Sequence, residues 1–118
     1  MKKENVIREK SFNFAVRAIN LYKVLNNERK EFILSKQFLR SGTSIGANVR
    51  EALNAESKAD FIHKLSISQE ECDETCYWLK LLFETQFIND FEFHSIYNDA
   101  YGLLKIIRSI ILTSKNNS

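Results

Sequence analysis

The sequence predicts an all-α protein, an antiparallel up-down-up-down four-helix bundle. Its 118 residues include no proline and only three glycines, a composition that gives few turn signals and favours long helices. Apolar residues recur at alternating spacings of three and four in four long segments, which places one buried stripe on each helix. Short polar links between amphipathic helices are typical of an antiparallel bundle. A longer helical hairpin that needs a partner is the alternative.

The four helices are expected to form a single domain over residues 1–118, as is usual for a chain of this length. The breaks between them are predicted at Asn27, Ser57 and Asn89. Ser57 with Asp60 three residues later resembles a capping box, with Asp in place of Glu. The charged segment before the second helix is either a connection or its first turn. The predicted bounds are about 5–26, 30–55, 58–86 and 90–114.

The second predicted helix contains two glycines one turn apart, Gly42 and Gly46. Each glycine costs a helix about 1 kcal/mol relative to alanine, so a compensating gain is expected. We predict that a neighbouring helix approaches the backbone closely at both positions. The buried stripe of this helix is predicted to comprise Leu34, Phe38, Ser41, Ile45, Asn48 and Ala52.

The amide of Asn48 needs hydrogen-bond partners if it is buried, because an unpaired buried amide costs about 1–3 kcal/mol. Fixing the register between helices is the favoured role, and a ligand or partner contact is the alternative. Charged residues of the second and third helices are also candidates for an interhelical ion-pair network. Simple solvation is the alternative for these charges, which are Arg40, Glu51, Glu71 and Glu74.

The third predicted helix carries more apolar surface than one face of a four-helix core requires. Tyr77, Trp78 and Leu81 lie beside a seam that Leu79 and Leu82 already supply. At about 100° per residue, these side chains cannot all point into one core. Large aromatic residues are enriched at the centres of interfaces, so we predict that Tyr77, Trp78 and Leu81 contribute to a subunit interface. The alternative is that they cap the bundle's own core.

The net charge is only +2, but it is distributed unevenly. Residues 1–50 hold 11 Lys and Arg against 4 Asp and Glu, whereas residues 51–118 hold 6 against 11. The basic half can therefore face phosphate or the acidic surface of a second copy. The candidates for nucleic-acid contacts are Arg17, Lys36, Arg40 and Arg50.

No pattern of catalytic or metal-binding residues is visible. Neither His63 nor His94 follows a Glu at the Glu-x-x-His spacing of bundle di-iron sites. Cys72 and Cys76 lack the second pair that a zinc site requires, and we expect both in the core. The chain has no apolar run long enough to cross a membrane and no signal-type start. We therefore expect a cytoplasmic protein without catalytic residues, cofactor, metal or membrane partner.

Three segments carry a resemblance to a known family: residues 39–52, which begin LRSGTSIGAN and end with Glu51-Ala52, residues 59–67 (ADFIHKLSI) and residues 74–79 (ETCYWL). In their order and spacing they resemble the bacterial four-helix bundle proteins first noticed as open reading frames in intervening sequences of 23S ribosomal RNA genes. The resemblance implies a homopentameric bundle with no established enzymatic activity. It also extends to the accessory variability protein of diversity-generating retroelements, a basic protein that works with a reverse transcriptase and RNA. The present chain differs from that protein in its low net charge.

Together these observations predict a non-enzymatic bundle that forms a homo-oligomer, a pentamer by the family resemblance. We expect it to serve as a scaffold for RNA or for a nucleic-acid-associated protein. Two other classes of function stay open at this point. One is an enzyme with a cofactor or metal in the bundle core, and the other is a purely structural protein whose self-assembly is its only binding activity.

Overall fold

In a computed structural model that describes residues 2–117, the chain forms four long α-helices joined by short connections. Successive helices pack on one another and the first also packs on the last, which confirms the predicted four-helix bundle. The molecule measures 48 × 21 × 19 Å. The terminal residues 1 and 118 of the predicted domain lie outside the described residues. The helices are α1 (Lys2–Asn27), α2 (Leu34–Leu53), α3 (Lys58–Glu84) and α4 (Asp90–Asn116).

The start of α2 differs most from its prediction, since this helix begins at Leu34 and not at residue 30. The reason is Glu31, whose buried carboxylate accepts hydrogen bonds from the backbone amides of Leu34 at 3.0 Å and Ser35 at 2.6 Å. The Ser35 hydroxyl in turn donates to the carbonyl oxygen of Glu31 at 2.6 Å. These bonds satisfy amides that have no partner within the first turn of a helix. Glu31 therefore belongs to the connection and caps the helix that follows.

The connections after α1 and α3 reverse the chain through residues with a positive φ. Lys30 has φ 56° and Gln86 has φ 67°, a left-handed conformation that glycine adopts more easily. The backbone amide of Glu31 donates to the carbonyl oxygen of Leu25 at 2.9 Å. At the end of α3, the backbone amide of Phe87 donates to the carbonyl oxygen of Leu82 at 2.9 Å. These are helix C-caps of the usual left-handed kind, built without glycine.

Side-chain caps begin α3 and α4. The hydroxyl of Ser57 accepts a hydrogen bond from the backbone amide of Asp60 at 3.0 Å. Asn89 and Glu92 form a complete capping box, in which each side chain accepts from the other residue's backbone amide at 2.8 Å. Arg29 adds a two-pronged ion pair to Glu92 at 2.7 and 3.0 Å. The start of α4 is thereby tied to the connection that follows α1.

The buried stripe of α2 corrects the predicted one at two positions. Ser35 and Val49 are buried, whereas Leu34 and Asn48 are only half-buried. The amide of Asn48 donates to the carbonyl oxygen of Ser44 at 2.9 Å within α2, so the prediction that Asn48 fixes the register between helices is wrong. Positions 48 and 49 both follow Ile45 at helical spacing, and the apolar side chain takes the core site.

Along residues 2–117, no helix combines the length and the apolarity that crossing a membrane requires.

Candidate interaction surface

Gly42 and Gly46 lie on the face of α2 that packs against α1. A Cβ atom on Gly42 would lie 3.0 Å from the Cβ of Ala18, and one on Gly46 would lie 3.2 Å from the carbonyl oxygen of Ser11. Both distances are shorter than ordinary van der Waals contact, and the second involves backbone that cannot rotate away. The two helices therefore approach closely at both glycines, which lie one turn apart on α2, and a larger side chain has no room at either position.

An open groove of about 510 Å³ runs along the outer side of this helix pair. We call it the α1/α2 groove, and its main lining residues are Arg8, Phe12, Ala15, Thr43, Ala47 and Arg50. Phe12 lies along it with 62% of its surface exposed. Val16 and Ile19 continue the same apolar face of α1 and are also exposed. Large apolar side chains grouped in this way on a surface are typical of a site that another molecule covers.

Two arginines flank one end of the α1/α2 groove. Arg8 and Arg50 lie about one turn beyond the contact of Ser11 with Gly46, one in each of two antiparallel helices. Both side chains are exposed, and neither has a hydrogen bond or ion pair with another described residue. Glu9 also lines this end, so its three charged side chains leave a local net charge of +1.

The four cations predicted to contact phosphate do not form one cluster. Arg17 is bound to Asp99 of α4 at 2.5 Å, and Arg40 is bound to carboxylates of α3. Lys36 and Arg50 are exposed, and within residues 2–117 neither side chain has a partner. They lie near opposite ends of α2, about 21 Å apart along the helix axis at 1.5 Å per residue. A single phosphate site that uses all four residues is therefore not formed within one bundle.

Arg40 connects α2 to α3 through the interhelical network that the sequence predicts for it. Its guanidinium donates to Glu71 at 2.9 Å and also to Glu74, whose carboxylate accepts a further bond from the Trp78 indole at 3.1 Å. Burial raises the pKa of Glu74, but the hydrogen bonds from Arg40 and Trp78 outweigh it, so the pKa lies below its ordinary value. The hydrogen bond with Glu74 raises the pKa of Arg40. The Arg40 side chain therefore links α2 to α3 within the bundle.

Glu51 does not join this network, so that part of the prediction is wrong. Its carboxylate accepts a hydrogen bond from Lys64 at 2.9 Å. Arg40 and Glu51 are eleven residues apart, which separates them by about 16 Å along α2. The hydrogen bond with Glu51 raises the pKa of Lys64. This exposed pair links the end of α2 to the first turns of α3.

The residues predicted for a subunit interface differ in their exposure. Tyr77 is 55% exposed, whereas Trp78 and Leu81 are half-buried. Glu70 and Asp73 share the outer face of α3 with Tyr77, because the three positions lie within about 60° of one another around the helix. Both acids are exposed and form no ion pair with a described residue. We call Glu70, Asp73 and Tyr77 the α3 ridge.

Polar side chains inside the bundle are paired with one another. The hydroxyls of Ser41 and Thr75 are hydrogen-bonded at 2.8 Å between α2 and α3. The hydroxyl of Ser68 donates to the carbonyl oxygen of Ile45 at 2.8 Å across the same two helices. No buried side-chain nitrogen or oxygen in the described part of the chain lacks a partner. The polar atoms of the core therefore serve helix packing.

Cys72 and Cys76 are buried free thiols of α3. The hydrogen bond with Cys76 and burial both raise the pKa of Cys72, whose Sγ donates to the carbonyl oxygen of Ala100 at 3.1 Å. His63 and His94 are exposed. From residue 2 to residue 117, no three His, Cys, Asp or Glu side chains are grouped in a way that can hold a metal ion.

The exposed apolar face of α1 was not among the features predicted from the sequence. A signal for it exists, since Phe12, Val16 and Ile19 follow the spacing i, i+4 and i+7, which forms a second stripe beside the buried one. The capping role of Glu31 was also missed. Glu31 ends a run of four charged residues, and nothing local distinguishes its carboxylate from that of Glu28.

The fold and its surface define an all-α class of protein, a four-helix bundle with a paired polar core and an open groove between its first two helices. The chain belongs to the 23S rRNA-intervening sequence protein family, whose model matches residues 3–109, and the resemblance to that family is confirmed. It is also similar to a protein of unknown function of the S23 ribosomal protein family from Bacteroides thetaiotaomicron VPI-5482, known from its crystal structure. The two chains are 57% identical, with a TM-score of 0.91 over 92% of this chain and 97% of the other. The comparison with curated proteins gives no match.

Proposed function

We propose that this protein is a non-enzymatic bundle that assembles with copies of itself into a ring and serves as a scaffold. The observation that carries the proposal is the apolar face of α1 beside the α1/α2 groove, where Phe12, Val16 and Ile19 are exposed. Covering these side chains removes apolar surface from water, which is the main favourable contribution to protein association. The family resemblance gives the expected ring size of five.

The hydrogen bonds of the buried polar side chains support a proposal without a catalytic step. Ser41, Ser68 and Thr75 are buried polar residues of α2 and α3, and each has a structural hydrogen-bond partner. The resemblance to the accessory variability protein of diversity-generating retroelements supports the scaffold role. On that model, the assembly positions RNA or an enzyme that acts on nucleic acid.

Light scattering on the purified protein, at micromolar concentrations and over a dilution series, tests the assembly. We expect a mass near 69 kDa, which is five times the 13.8 kDa of one chain. A mass of one chain throughout the series would refute the proposal. A stable assembly of another size would retain the scaffold and reject the pentamer.

RNA binding is a second candidate function, favoured by the exposed and unpaired side chains of Lys36 and Arg50. Substituting a lysine or arginine that contacts phosphate should reduce the slope of log affinity against log salt by about 1. Filter binding with Lys36→Ala and Arg50→Ala measures this slope. Arg40→Ala is the matched control, because Arg40 is occupied by carboxylates of α3. If no RNA is retained at low salt, RNA binding is rejected, and self-assembly is the binding activity that the proposal keeps.

The remaining alternatives are separated by direct measurements. A bundle enzyme with a metal or cofactor predicts stoichiometric metal, or an absorption band beyond the aromatic region, in the purified protein. A purely structural protein predicts a ring that retains neither RNA nor a nucleic-acid enzyme when it is recovered from cells.

A further inference from the structure

We propose that the α3 ridge of one copy docks in the α1/α2 groove of the next copy. This inference rests on the homo-oligomer proposed above and names the two faces that meet in it. Both faces are exposed in the bundle. The groove lies between α1 and α2, and the ridge lies on the outer face of α3, which packs on α2 and α4 but not on α1. One molecule therefore presents a groove and a ridge at the same time.

The charges of the two faces are complementary. Arg8 and Arg50 flank one end of the groove and give it a net charge of +1 together with Glu9. Glu70 and Asp73 give the ridge a charge of −2. The four side chains that would pair are exposed and have no ion-pair partner among the residues described. Complementary charges of this kind steer association and fix the orientation of the partners.

The spacing of the ridge matches the length of the groove. Glu70 and Tyr77 are seven residues apart, about 10.5 Å along the helix axis. Arg8 and Ala15 are also seven residues apart on α1. When the acidic end of the ridge meets the arginines, Tyr77 therefore reaches the level of Ala15 and Thr43.

The apolar ends of the two faces also fit each other in size. The groove has small side chains at this level, Ala15 and Thr43, with Ala47 one turn away along α2. Tyr77 offers a large aromatic side chain, and the residue is 55% exposed in the bundle. Tyrosines that enter such a groove are frequent anchors at the centres of interfaces, because they bury much apolar area and keep their hydroxyl at the edge.

A contact between two different faces is heterologous, so it can repeat from copy to copy. Each added copy brings a free groove or a free ridge, and the series ends when the rotation between neighbours closes a ring. A second copy of this chain is thus the occupant that the charge and spacing specify. It also covers Phe12, which lines the groove beside the docked ridge.

Charge reversal at the two faces tests the contact. Arg50→Glu and Asp73→Arg each place like charges opposite one another, and we expect the concentration at which the assembly dissociates to rise at least tenfold in each variant. The chain that carries both substitutions restores opposite charges and should dissociate near the wild-type concentration. Light scattering over a dilution series gives the midpoint for each. Lys36→Glu is the control, since it makes the same charge change on α2 away from the groove and should leave the midpoint unchanged.

The outcomes separate this contact from the assembly itself. A wild-type monomer would overturn both and would leave the groove to a different partner. A wild-type oligomer that both single variants leave intact would overturn the contact and keep the assembly. Dissociation in both single variants without recovery in the double variant would show that the two faces do not meet. Tyr77→Ala should weaken the assembly without a charge change, and circular dichroism checks that every variant keeps its helices.

Discussion

The close approach of α1 to Gly46 has a measurable consequence for stability. Gly46 and Gly102 are both glycines inside helices, but their surroundings differ. A Cβ on Gly46 would lie 3.2 Å from the carbonyl oxygen of Ser11, whereas a Cβ on Gly102 would have nothing within 4 Å. The same substitution at the two sites therefore separates helix propensity from packing.

Alanine at either position gains about 1 kcal/mol of helix propensity over glycine. Gly102→Ala should keep this gain. Gly46→Ala must also move the backbone of α1 by a few tenths of an ångström, so we expect it to lose the gain and to show no net stabilisation. Gly46→Leu adds three more heavy atoms at the contact, and overpacking of this kind costs about 1–3 kcal/mol.

Urea denaturation at one fixed protein concentration measures these differences, since assembly makes stability depend on concentration. For a slope of about 1–3 kcal/mol/M, a change of 1 kcal/mol shifts the midpoint by roughly 0.3–1 M. We expect the midpoint of Gly102→Ala to rise and that of Gly46→Leu to fall. Equal stabilisation by Gly46→Ala and Gly102→Ala, with an unchanged or higher midpoint for Gly46→Leu, would refute the close-packing argument.

Three further predictions concern the connections. Gln86→Gly relieves a left-handed conformation that costs other residues about 1–2 kcal/mol, and should raise the thermal midpoint; a fall would show that the side chain matters more than the backbone. Glu31→Gln removes the charge that caps α2 and should lower the free energy of unfolding, measured by urea denaturation, by about 1–2 kcal/mol. Hydrogen-exchange protection should be lost beginning at Ser35. The hydrogen bond from Arg29 lowers the pKa of Glu92 below its ordinary 4.5, so its contribution is complete above about pH 4.5 and is lost as the pH falls through the folded pKa. Glu92→Gln should therefore destabilise at pH 7 and flatten the acid side of the stability profile, and an unchanged acid slope would contradict this.

The starts of α3 and α4 could be predicted because their signals are local. Ser57 and Asn89 each bond to an amide only three residues away, so the cap and the helix start appear together in the sequence. The start of α2 depends instead on a Glu31 side chain that reaches to Ser35, and it emerges from a charged run in which each residue has similar propensity. Local propensity locates a boundary when the capping residue type is specific, and glutamate in a connection is not.

Ion pairs within one molecule explain part of the charge asymmetry between the two halves of the chain. Arg17 bonds to Asp99, Arg29 bonds to Glu92, and Arg40 bonds to two carboxylates of α3. In each case a cation of the first half meets an anion of the second, because α1 packs on α4 and α2 packs on α3. Three of the 11 cations in residues 1–50 are thus paired within one molecule, and the sequence alone cannot distinguish them from the cations of a binding surface.

The charges of the candidate site are among those that this pairing leaves without a partner, and the position of Arg50 shows why the sequence could not separate them from the paired charges. Arg40 and Glu51 are eleven residues apart and project within about 20° of each other, so both face α3. Arg50 lies about 80° from Arg40 around α2, which turns it toward the side of α1 and the groove. These angles follow from the sequence, but the periodicity of a helix does not say which neighbour lies to its left and which to its right. Bundles of either handedness bury the same stripes. Only the three-dimensional arrangement therefore shows that Arg50 lines the groove and has no partner among residues 2–117.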